Sequence, residues 1–369
     1  MIKRERLAEQ FSRLVSIDAP SYGERKMADY LTEKLEDLGF AVSEDEAGDF
    51  YNGNCGNLYA HRSGKGRPLL LSMHMDTVEP SSGKRAVIHE DGRITSDGTT
   101  VLGADDMSAV AAVLEALQHM KEEMIPTREL EILLSIGEEK HVKGAKVFDF
   151  SKIRAKESIV LDMSGEIGAA AVQAPSQIAF TVTVYGRASH AGFAPQDGIH
   201  AILIAANAIT RIPMGRSGDD TTVNVGRIQG GLATNIVPDC CTVFGELRSF
   251  SHKKALQKME EIKAVFEEEA KKLGGSVDFS RDVCYEAYKT EENAAAVQDF
   301  KRACEKLGIT CTLCSTFGGS DQNKISEHGI AGIVIASAMH RVHSCHEYTD
   351  IKEMEQVAGI VSEILQMTE

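Results

Sequence analysis

The stretch that decides how this chain folds is an apolar run that ends in two polar residues, Leu69-Leu70-Leu71-Ser72-Met73-His74-Met75-Asp76. The run has the length of a buried β-strand, and the histidine and the aspartate come at its carboxyl end. Imidazoles and carboxylates follow other β-like runs, or lie close to them, at Asp105, Asp106, Glu138, Glu139, Asp162, His343 and His346. Because the carboxyl ends of strands meet at one crevice of an open α/β sheet, we expect these side chains to converge.

The expected crevice would hold two histidines and four or five carboxylates. That is too much charge to leave unpaired in a folded interior, and a pair of metal ions would resolve it. The sequence therefore predicts a hydrolase with a dinuclear metal site.

The spacing within each motif indicates how the roles divide. His74 and Asp76 stand two residues apart, so in a strand they face the same side, where one can ligate a metal while the other orients the imidazole. In the pair Glu138-Glu139, one carboxylate can ligate while its neighbour stays free as a general base. Two simpler interpretations remain open at this point: a surface histidine and aspartate at a strand end, and an aspartate at 105 or 106 that only caps a helix.

Composition excludes several classes of function. The chain has 369 residues, 43% of them apolar, and a formal net charge of -15, which disfavours nucleic acid and anionic membranes as partners. No apolar stretch approaches the ~20 residues that span a bilayer, and the start lacks the apolar core of a signal peptide. We expect a cytoplasmic protein.

The eight cysteines are scattered, and in a cytoplasmic chain they are expected to be reduced and mostly buried. Cys311-Thr312-Leu313-Cys314 has the spacing of half a zinc knuckle or of a redox pair. It lacks a second pair and lies in a β-like run, so we expect packing rather than function.

The order of predicted elements indicates an α/β fold with an insertion. Strands and helices alternate through the first part of the chain, and the strand near 177–185 then alternates apolar and polar residues with period two. Two helices and three further strands follow it, which makes two helices on a four-stranded antiparallel sheet, before the α/β texture resumes near Asn293. We predict an α/β sandwich catalytic domain, residues 1–177 and 291–369, interrupted at 178–290 by a ferredoxin-like α+β lid or dimerisation domain.

Six motifs in order resemble those of the di-zinc exopeptidase family of peptidase T, carboxypeptidase G and the aminoacylases. They are His74-Met75-Asp76, Gly103-Ala104-Asp105-Asp106, Gly137-Glu138-Glu139, Leu161-Asp162, Gly318-Gly319-Ser320-Asp321 and His343-Ser344-Cys345-His346-Glu347. The segment Ser96-Asp97-Gly98-Thr99-Thr100-Val101-Leu102-Gly103-Ala104-Asp105-Asp106 is similar to the peptidase T-like branch. The resemblance runs over nearly the whole chain.

The resemblance implies a role for each residue of the site. Two divalent ions, taken to be zinc, would be held by two ligand sets that share Asp105 as a bridge. Glu138 would be the general base and Asp76 the residue that orients His74, and a cis peptide would join Asp105 to Asp106. The family places a glutamate four positions after the ligating histidine, which selects His343 over His346. The two ligand sets are His74, Asp105 and Asp162 for one ion, and Asp105, Glu139 and His343 for the other.

In the inserted domain, Ala188-Ser189-His190-Ala191-Gly192 resembles the lid motif of the family. The resemblance implies that His190 helps to stabilise the oxyanion, reaching the active site of a partner subunit in a homodimer, and that Asn235 and Arg248 bind substrate. A monomer that closes its own lid stays an alternative.

The chain departs from the family at two positions. Met107 stands where the family commonly has lysine, and His141 where it commonly has glycine. The lost lysine removes a positive charge near the metals, although every predicted ligand is present.

The expected function is hydrolysis of short peptides by a tripeptide aminopeptidase, with metal-activated water as the nucleophile and Glu138 as the base. Two alternatives stay open. The first is a related amidohydrolase, either a deacylase of N-acyl amino acids or a carboxypeptidase. The second is a metal-binding protein without turnover, suggested by Met107 and His141.

Overall fold

The computed structural model describes residues 2–218 and 220–368. The chain forms two compact units. The first comprises Met1–Gln173 together with Lys289–Glu369, and the second comprises Ala174–Tyr288.

The β-strands of the described residues follow the chain in this order: β1 (Ala41–Glu44), β2 (Leu58–Arg62), β3 (Leu69–His74), β4 (Val87–Ile88), β5 (Arg93–Thr95), β6 (Leu130–Ser135), β7 (Glu157–Met163), β8 (Ala169–Ala174), β9 (Ser176–Tyr185), β10 (Gly215–Arg216), β11 (Thr221–Gly230), β12 (Cys240–Ser249), β13 (Ser276–Tyr285), β14 (Tyr288–Lys289), β15 (Thr312–Ser315), β16 (Ala331–Ala336) and β17 (Tyr348–Asp350).

The α-helices are α1 (Arg4–Val15), α2 (Arg25–Asp37), α3 (Ala47–Tyr51), α4 (Ala104–Glu122), α5 (Lys143–Val147), α6 (Ala201–Arg211), α7 (His252–Leu273), α8 (Ala295–Leu307), α9 (Asp321–Glu327) and α10 (Ile351–Leu365). Short 3-10 helices lie at Glu138–Lys140, Phe150–Lys152 and Pro195–Asp197. Among the described helices, none combines the length and the apolar character needed to cross a membrane.

The main sheet of the first unit has the strand order β1-β2-β6-β3-β7-β16-β8-β14, with β15 paired to β8. Its central strands β3, β6, β7 and β16 run parallel to their neighbours in this group. Every residue of β3 and β6 is buried, as expected for parallel strands covered on both faces. Helix α4 is buried along nearly its whole length and packs against α1 and α10. The parallel pairing sets the carboxyl ends of β3, β6 and β7 at one edge.

The second unit has the ferredoxin-like chain order β9-α6-β11-β12-α7-β13. Its antiparallel sheet has the order β10-β11-β12-β9-β13. The apolar side chains of β9, which include Ile178, Phe180 and Val182, pack with those of α6 and α7 in a separate core. The sequence analysis predicted four strands here. The structure adds β10, a two-residue strand that pairs with the start of β11.

The structure differs from the sequence-based expectation at several other elements. Strand β8 was missed because its alanine-rich sequence has low β-propensity, yet it is partly buried between β16 and β15. Helix α4 spans Ala104–Glu122, but Asp105 and Asp106 have non-helical backbone angles, so its regular turns begin at Met107. A small sheet of order β17-β5-β4 and the short helices α3, α5 and α9 were also not predicted.

All eight cysteines are free thiols. Cys314 lies in β15 and its thiol hydrogen-bonds to the carbonyl oxygen of Ala170 at 3.5 Å. This contact fits the packing role expected for Cys311 and Cys314.

Candidate metal centre

Three strand ends of the main sheet bring the first site residues together. His74 is the last residue of β3, and Asp162 lies near the end of β7. After β6, Gly137 adopts a left-handed conformation (φ +54°) and starts the 3-10 turn that carries Glu138 and Glu139. A Cβ at Gly137 would lie 2.7 Å from the Tyr22 ring, so the turn also requires glycine for space. Parallel strands thus place imidazole and carboxylates at one edge.

The remaining residues come from loops. Asp105 lies at the start of α4, and its peptide bond to Asp106 is cis, as the resemblance implied. The helix-capping alternative is wrong, because Gly103, which has no side chain, occupies the cap position. His343 lies in the loop between β16 and β17, at a left-handed φ of +59°.

Two groups of side chains meet the geometric requirement for holding a metal ion, with one ligand atom of each residue within 4.8 Å of the others. Asp105 belongs to both groups. They are His74, Asp105 and Asp162, and Asp105, Glu139 and His343.

The carboxylate of Asp105 faces a different imidazole with each oxygen. Its Oδ1 lies 3.0 Å from His74 Nε2, and its Oδ2 lies 3.4 Å from His343 Nε2. Glu139 Oε1 is 3.0 Å from the same nitrogen of His343. A carboxylate with one oxygen toward each of two ligand sets has the arrangement of a bridging ligand.

Asp76 supports both His74 and the glutamate turn. The ring Nδ1 of His74 donates to the carbonyl oxygen of Asp76 at 3.0 Å, and the Asp76 carboxylate lies 3.4 Å from the same nitrogen. The same carboxylate accepts the backbone N–H groups of Glu138 at 2.9 Å and Glu139 at 3.3 Å. The donation from Nδ1 leaves Nε2 of His74 as the ligand atom.

The carboxylates of the site carry more negative charge than their surroundings compensate. Burial raises the pKa of Glu138 well above its ordinary value, and the neighbouring Asp162 carboxylate adds to the shift. Burial also raises the pKa of Asp162, helped by Asp105. For Asp105, burial opposes ionisation, but hydrogen bonds from His343 and His74 lower its pKa overall.

The pKa values of the two imidazoles are raised as well, which favours the charged form of a histidine. Hydrogen bonds to Asp105 and Glu139 raise the pKa of His343 to about 10. Burial lowers the pKa of His74, but its contacts with Asp105 and Asp76 outweigh that effect and the net pKa is raised. Without metal the two rings thus serve as the cations of the site.

The donor set fits a pair of divalent ions. Each group offers one imidazole and two carboxylates, a ligand mixture suited to zinc, and three protein ligands leave a position for water or substrate. Asp106 Oδ1 is buried without a hydrogen-bond partner, and burial raises the pKa of Asp106 well above its ordinary value.

Known protein families resemble two parts of this chain. Two family descriptions match the chain, "Peptidase family M28" over residues 57–205 and "Peptidase dimerisation domain", of the M20 type, over residues 174–274.

Three similar proteins cover nearly the whole chain. The uncharacterized protein YqjE of Bacillus subtilis is 37% identical over 99% of both chains. The crystal structure of aminopeptidase PepT from Bacillus cereus is 38% identical, covering 99% of this chain and 98% of that chain, with a TM-score of 0.92. A tripeptidase structure from Staphylococcus aureus is 34% identical, covering 100% and 99%, with a TM-score of 0.96. The chain belongs to the peptidase T-like metallopeptidases.

The second unit of this peptidase T-like chain brings His190 and Asn235 together. Ala191 donates its N–H to the carbonyl oxygen of Asn235 at 3.0 Å, and His190 pairs with Ile236 as an isolated bridge. His190 Nδ1 accepts the N–H groups of Gly192 and Phe193, both at 3.1 Å. Its ring proton therefore lies on Nε2, which makes the exposed ring a hydrogen-bond donor.

Arg248 lies at the other end of the same sheet. It pairs with Gln177 near the start of β9, whereas Cys240, close after Asn235, pairs with Tyr185 at the end of β9. Its guanidinium is bound by Glu246, with Nε 3.0 Å from one carboxylate oxygen and Nη2 3.3 Å from the other. A substrate carboxylate would have to compete with Glu246 for this arginine.

The chain lacks a lysine at position 107, but another lysine, Lys84, lies near the loop that leads to Asp105. Met107 is fully buried in the apolar core. Lys84 is buried too and donates to the carbonyl oxygen of Ile17 at 2.6 Å. A Cβ at Gly103 would lie 3.0 Å from Lys84 Cε, so this lysine lies against the loop that leads to Asp105. Burial lowers the pKa of Lys84 to about 8, which leaves it mainly charged at neutral pH.

The two additional histidines are exposed, and neither His141 nor His346 belongs to a candidate ligand group among the described residues. His141 ends the 3-10 turn in a left-handed conformation. The choice of His343 over His346 agrees with this placement.

Sequence reasoning missed Ser21 and Glu24, two residues early in the chain that support the turn carrying Glu138 and Glu139. Ser21 donates its hydroxyl to Asp76 at 2.6 Å. The fully buried Glu24 accepts the N–H of Gly137 at 2.9 Å. Burial raises the pKa of Glu24 to about 7, with a contribution from Asp76. No periodicity or local motif marks a contact over more than one hundred positions, so only the fold reveals it.

Asp321 lies within a motif quoted in the sequence analysis, but no role was predicted for it. It begins α9 and is almost fully buried. Its Oδ2 accepts the hydroxyl of Ser135, at the end of β6, at 2.6 Å. Burial raises its pKa to about 6. This carboxylate ties α9 to the strand that leads to the glutamate turn.

Metal binding should release protons, because His343 is protonated at neutral pH in the metal-free protein and must be neutral to ligate. Raising the pH from about 6 to about 8 should therefore increase affinity. Titration calorimetry in buffers of different ionisation enthalpy measures the number of protons released.

The matched variants for this measurement are His343→Ala and His346→Ala. Only the first should reduce the proton release, since His346 is outside both ligand groups. A metal-binding heat that does not depend on the buffer would contradict the prediction.

Proposed function

We propose that this chain is a di-zinc exopeptidase of the tripeptide aminopeptidase type. Peptide-bond hydrolysis by an exopeptidase is the activity that its family and its similar aminopeptidase and tripeptidase structures support. The observation that carries the proposal is the position of Asp105, which belongs to two candidate ligand groups. Glu138 lies close enough to Asp162 and His74, two members of one group, to feel their charges. Zinc, rather than another divalent ion, is suggested by the imidazole and carboxylate ligands.

The proposed roles follow the geometry. His74, Asp105 and Asp162 would hold one ion, and Asp105, Glu139 and His343 the other. When bound, such ions polarise a scissile carbonyl and lower the pKa of the attacking water.

Glu138 would take the proton from the attacking water and pass it to the leaving amine. In the metal-free protein, burial and the neighbouring Asp162 raise the pKa of Glu138, and the positive charge of two bound ions would lower it again. Asp76 would fix the position of the His74 ring and of the Glu138 backbone through the hydrogen bonds described above.

His190 would donate a hydrogen bond from Nε2 to the substrate oxygen that gains negative charge, and Asn235 beside it would bind the same region. We propose that Arg248 binds a substrate carboxylate in exchange for Glu246. A cytoplasmic location also stays a proposal. The free state of all eight cysteines is the usual one in a reducing compartment.

We further propose a homodimer in which His190 serves the partner's active site. The stretch from Cys241 to Arg248 in β12 spans roughly 23 Å at ~3.3 Å per residue. A tripeptide extends over only ~10 Å. His190 and Arg248 thus lie toward opposite ends of a sheet that is longer than a tripeptide, which supports a site that takes one of them from each of two copies. The match of residues 174–274 to a peptidase dimerisation domain supports the same arrangement.

The function is tested with the purified, metal-loaded protein on a panel of free dipeptides, free tripeptides, N-acetylated tripeptides and tripeptide amides. Free tripeptides should be hydrolysed fastest, and N-acetylation should lower kcat/KM by about two orders of magnitude, since a buried or charged contact to the free amine is lost. Preference for N-acyl amino acids would instead indicate a deacylase. Two bound metals with no hydrolysis would indicate a binding protein.

The two glutamates of the turn should behave differently. Glu138→Gln should retain both ions and lower kcat by roughly 10²–10⁴, because it removes proton transfer and leaves the ligands in place. Glu139→Gln should weaken binding of one ion. Elemental analysis and single-turnover rates of the two variants give the comparison, and the reverse pattern would mean that the roles are exchanged.

Exchange of subunits tests the dimer. His190→Ala and Arg248→Ala should each be nearly inactive, and a remixed equal population should recover about a quarter of the wild-type activity, because half the dimers are mixed and one site of each is intact. No recovery, with sedimentation showing dimers that exchange subunits, would place His190 and Arg248 in the same site of one chain. A fully active monomer would do the same.

A further inference from the structure

We infer that Glu347 is a positioning residue that fixes the bridging carboxylate of Asp105 relative to His343. The inference rests on the proposed function of these two ligands. Glu347 follows His343 by four residues and is only 2% exposed. The sequence analysis used it only to choose between two histidines, whereas the structure shows where its carboxylate binds.

Three backbone N–H groups converge on the Glu347 carboxylate. Its Oε2 accepts from Leu102 at 2.8 Å and from Gly103 at 2.7 Å. Its Oε1 accepts from Asp105 itself at 3.0 Å. Both oxygens are thus used as acceptors on the loop that ends at the bridging ligand.

The three N–H groups have no other acceptor within α4. Asp105 and Asp106 have non-helical backbone angles, and the turn bond from Met107 to the carbonyl oxygen of Gly103 is long, at 3.3 Å. The loop from Leu102 to Asp105 therefore depends on Glu347 to satisfy its buried N–H groups.

Backbone hydrogen bonds close the loop that carries His343 and Glu347. His340 and Tyr348 pair through two backbone hydrogen bonds of 3.0 Å, and Glu347 donates its own N–H to the carbonyl oxygen of Ser344 at 3.0 Å. His343 and Glu347 thus belong to one closed loop and move together. A shift of this loop is passed directly to the backbone of Asp105.

Only a carboxylate can accept all three bonds. A glutamine at 347 would keep one acceptor oxygen and turn an NH₂ group toward at least one N–H donor. Because Asp105 faces His74 with one oxygen and His343 with the other, a small displacement of its backbone changes both candidate metal sites. Loss of such a supporting contact commonly costs 10–100-fold in metal affinity.

The test compares Glu347→Gln with Glu353→Gln as the matched control. Glu353 lies on the adjacent helix and binds His340 at 2.5 Å, outside both ligand groups. Full-length protein stripped of metal is titrated with Zn²⁺ by calorimetry and with Co²⁺ by visible absorption, and kcat and KM are measured after reloading.

Glu347→Gln should weaken at least one of the two binding events by about 10–100-fold, alter the Co²⁺ spectrum and lower kcat with little change in KM. Glu353→Gln should match the wild type in all of these. Wild-type affinities and spectrum in Glu347→Gln would overturn the inference, and so would equal losses in both variants.

If Glu347→Gln does not fold, as judged by circular dichroism of the metal-free protein, Glu347→Asp takes its place. The shorter carboxylate keeps the charge but cannot reach all three donors, so affinity should fall by a smaller factor. Wild-type affinity in Glu347→Asp would then overturn the inference.

Metal affinity is measured without peptide, so the outcome is separate from that of the proposed function. A wild-type protein that hydrolyses tripeptides while Glu347→Gln binds both ions normally would disprove only the positioning role. A wild-type protein that binds two ions and hydrolyses no peptide would disprove only the function.

Discussion

The carboxylate of Asp105 is the constraint on which the rest of the site depends. This single carboxylate has to face two imidazoles. One is His74, at the end of a central strand, and the other is His343, in a loop more than two hundred residues later. This is possible only if strand β3, the start of α4 and the loop before β17 keep fixed separations. The parallel sheet supplies the first of these positions, and hydrogen bonds to buried carboxylates supply the others.

The carboxylates of this region divide into two kinds by their partners. Asp76, Glu24 and Glu347 accept backbone N–H groups and so hold loops in place. Asp105 and Glu139 face imidazoles instead. Backbone hydrogen bonds only partly offset the burial of the first kind, since burial still raises the pKa of Glu24 and of Glu347 to about 7. The second kind, with Glu138 and Asp162 beside it, concentrates negative charge that raises the pKa of its neighbours, which is the electrostatic condition for binding cations.

The second unit contributes polar groups from both ends of its sheet. His190 and Asn235 lie at the end of β9, while Arg248 lies beside the start of that strand and is paired with Glu246. An antiparallel sheet of ten-residue strands is longer than a short peptide. This separation is the observation that supports the proposed assembly of the site from two chains.

The sequence by itself determined the fold class and most of the candidate ligands. The buried run before His74, the apolar run before Glu138 and the strand before Asp162 are local patterns, and parallel strands bring such ends together without further information. The period-two alternation of residues 177–185 likewise indicated the inserted antiparallel unit.

Only the tertiary structure decided how these residues are held. The contacts of Glu347 with the Asp105 loop and of Glu24 with Gly137 join positions far apart in the chain, and a carboxylate gives no local sign of which N–H groups it will accept. The same holds for Lys84, whose charge lies beside the Asp105 loop, although this chain has the apolar Met107 where the family commonly has lysine. Sequence periodicity reports which face of an element is buried, whereas the partner of a buried polar group is set by the packing of distant segments.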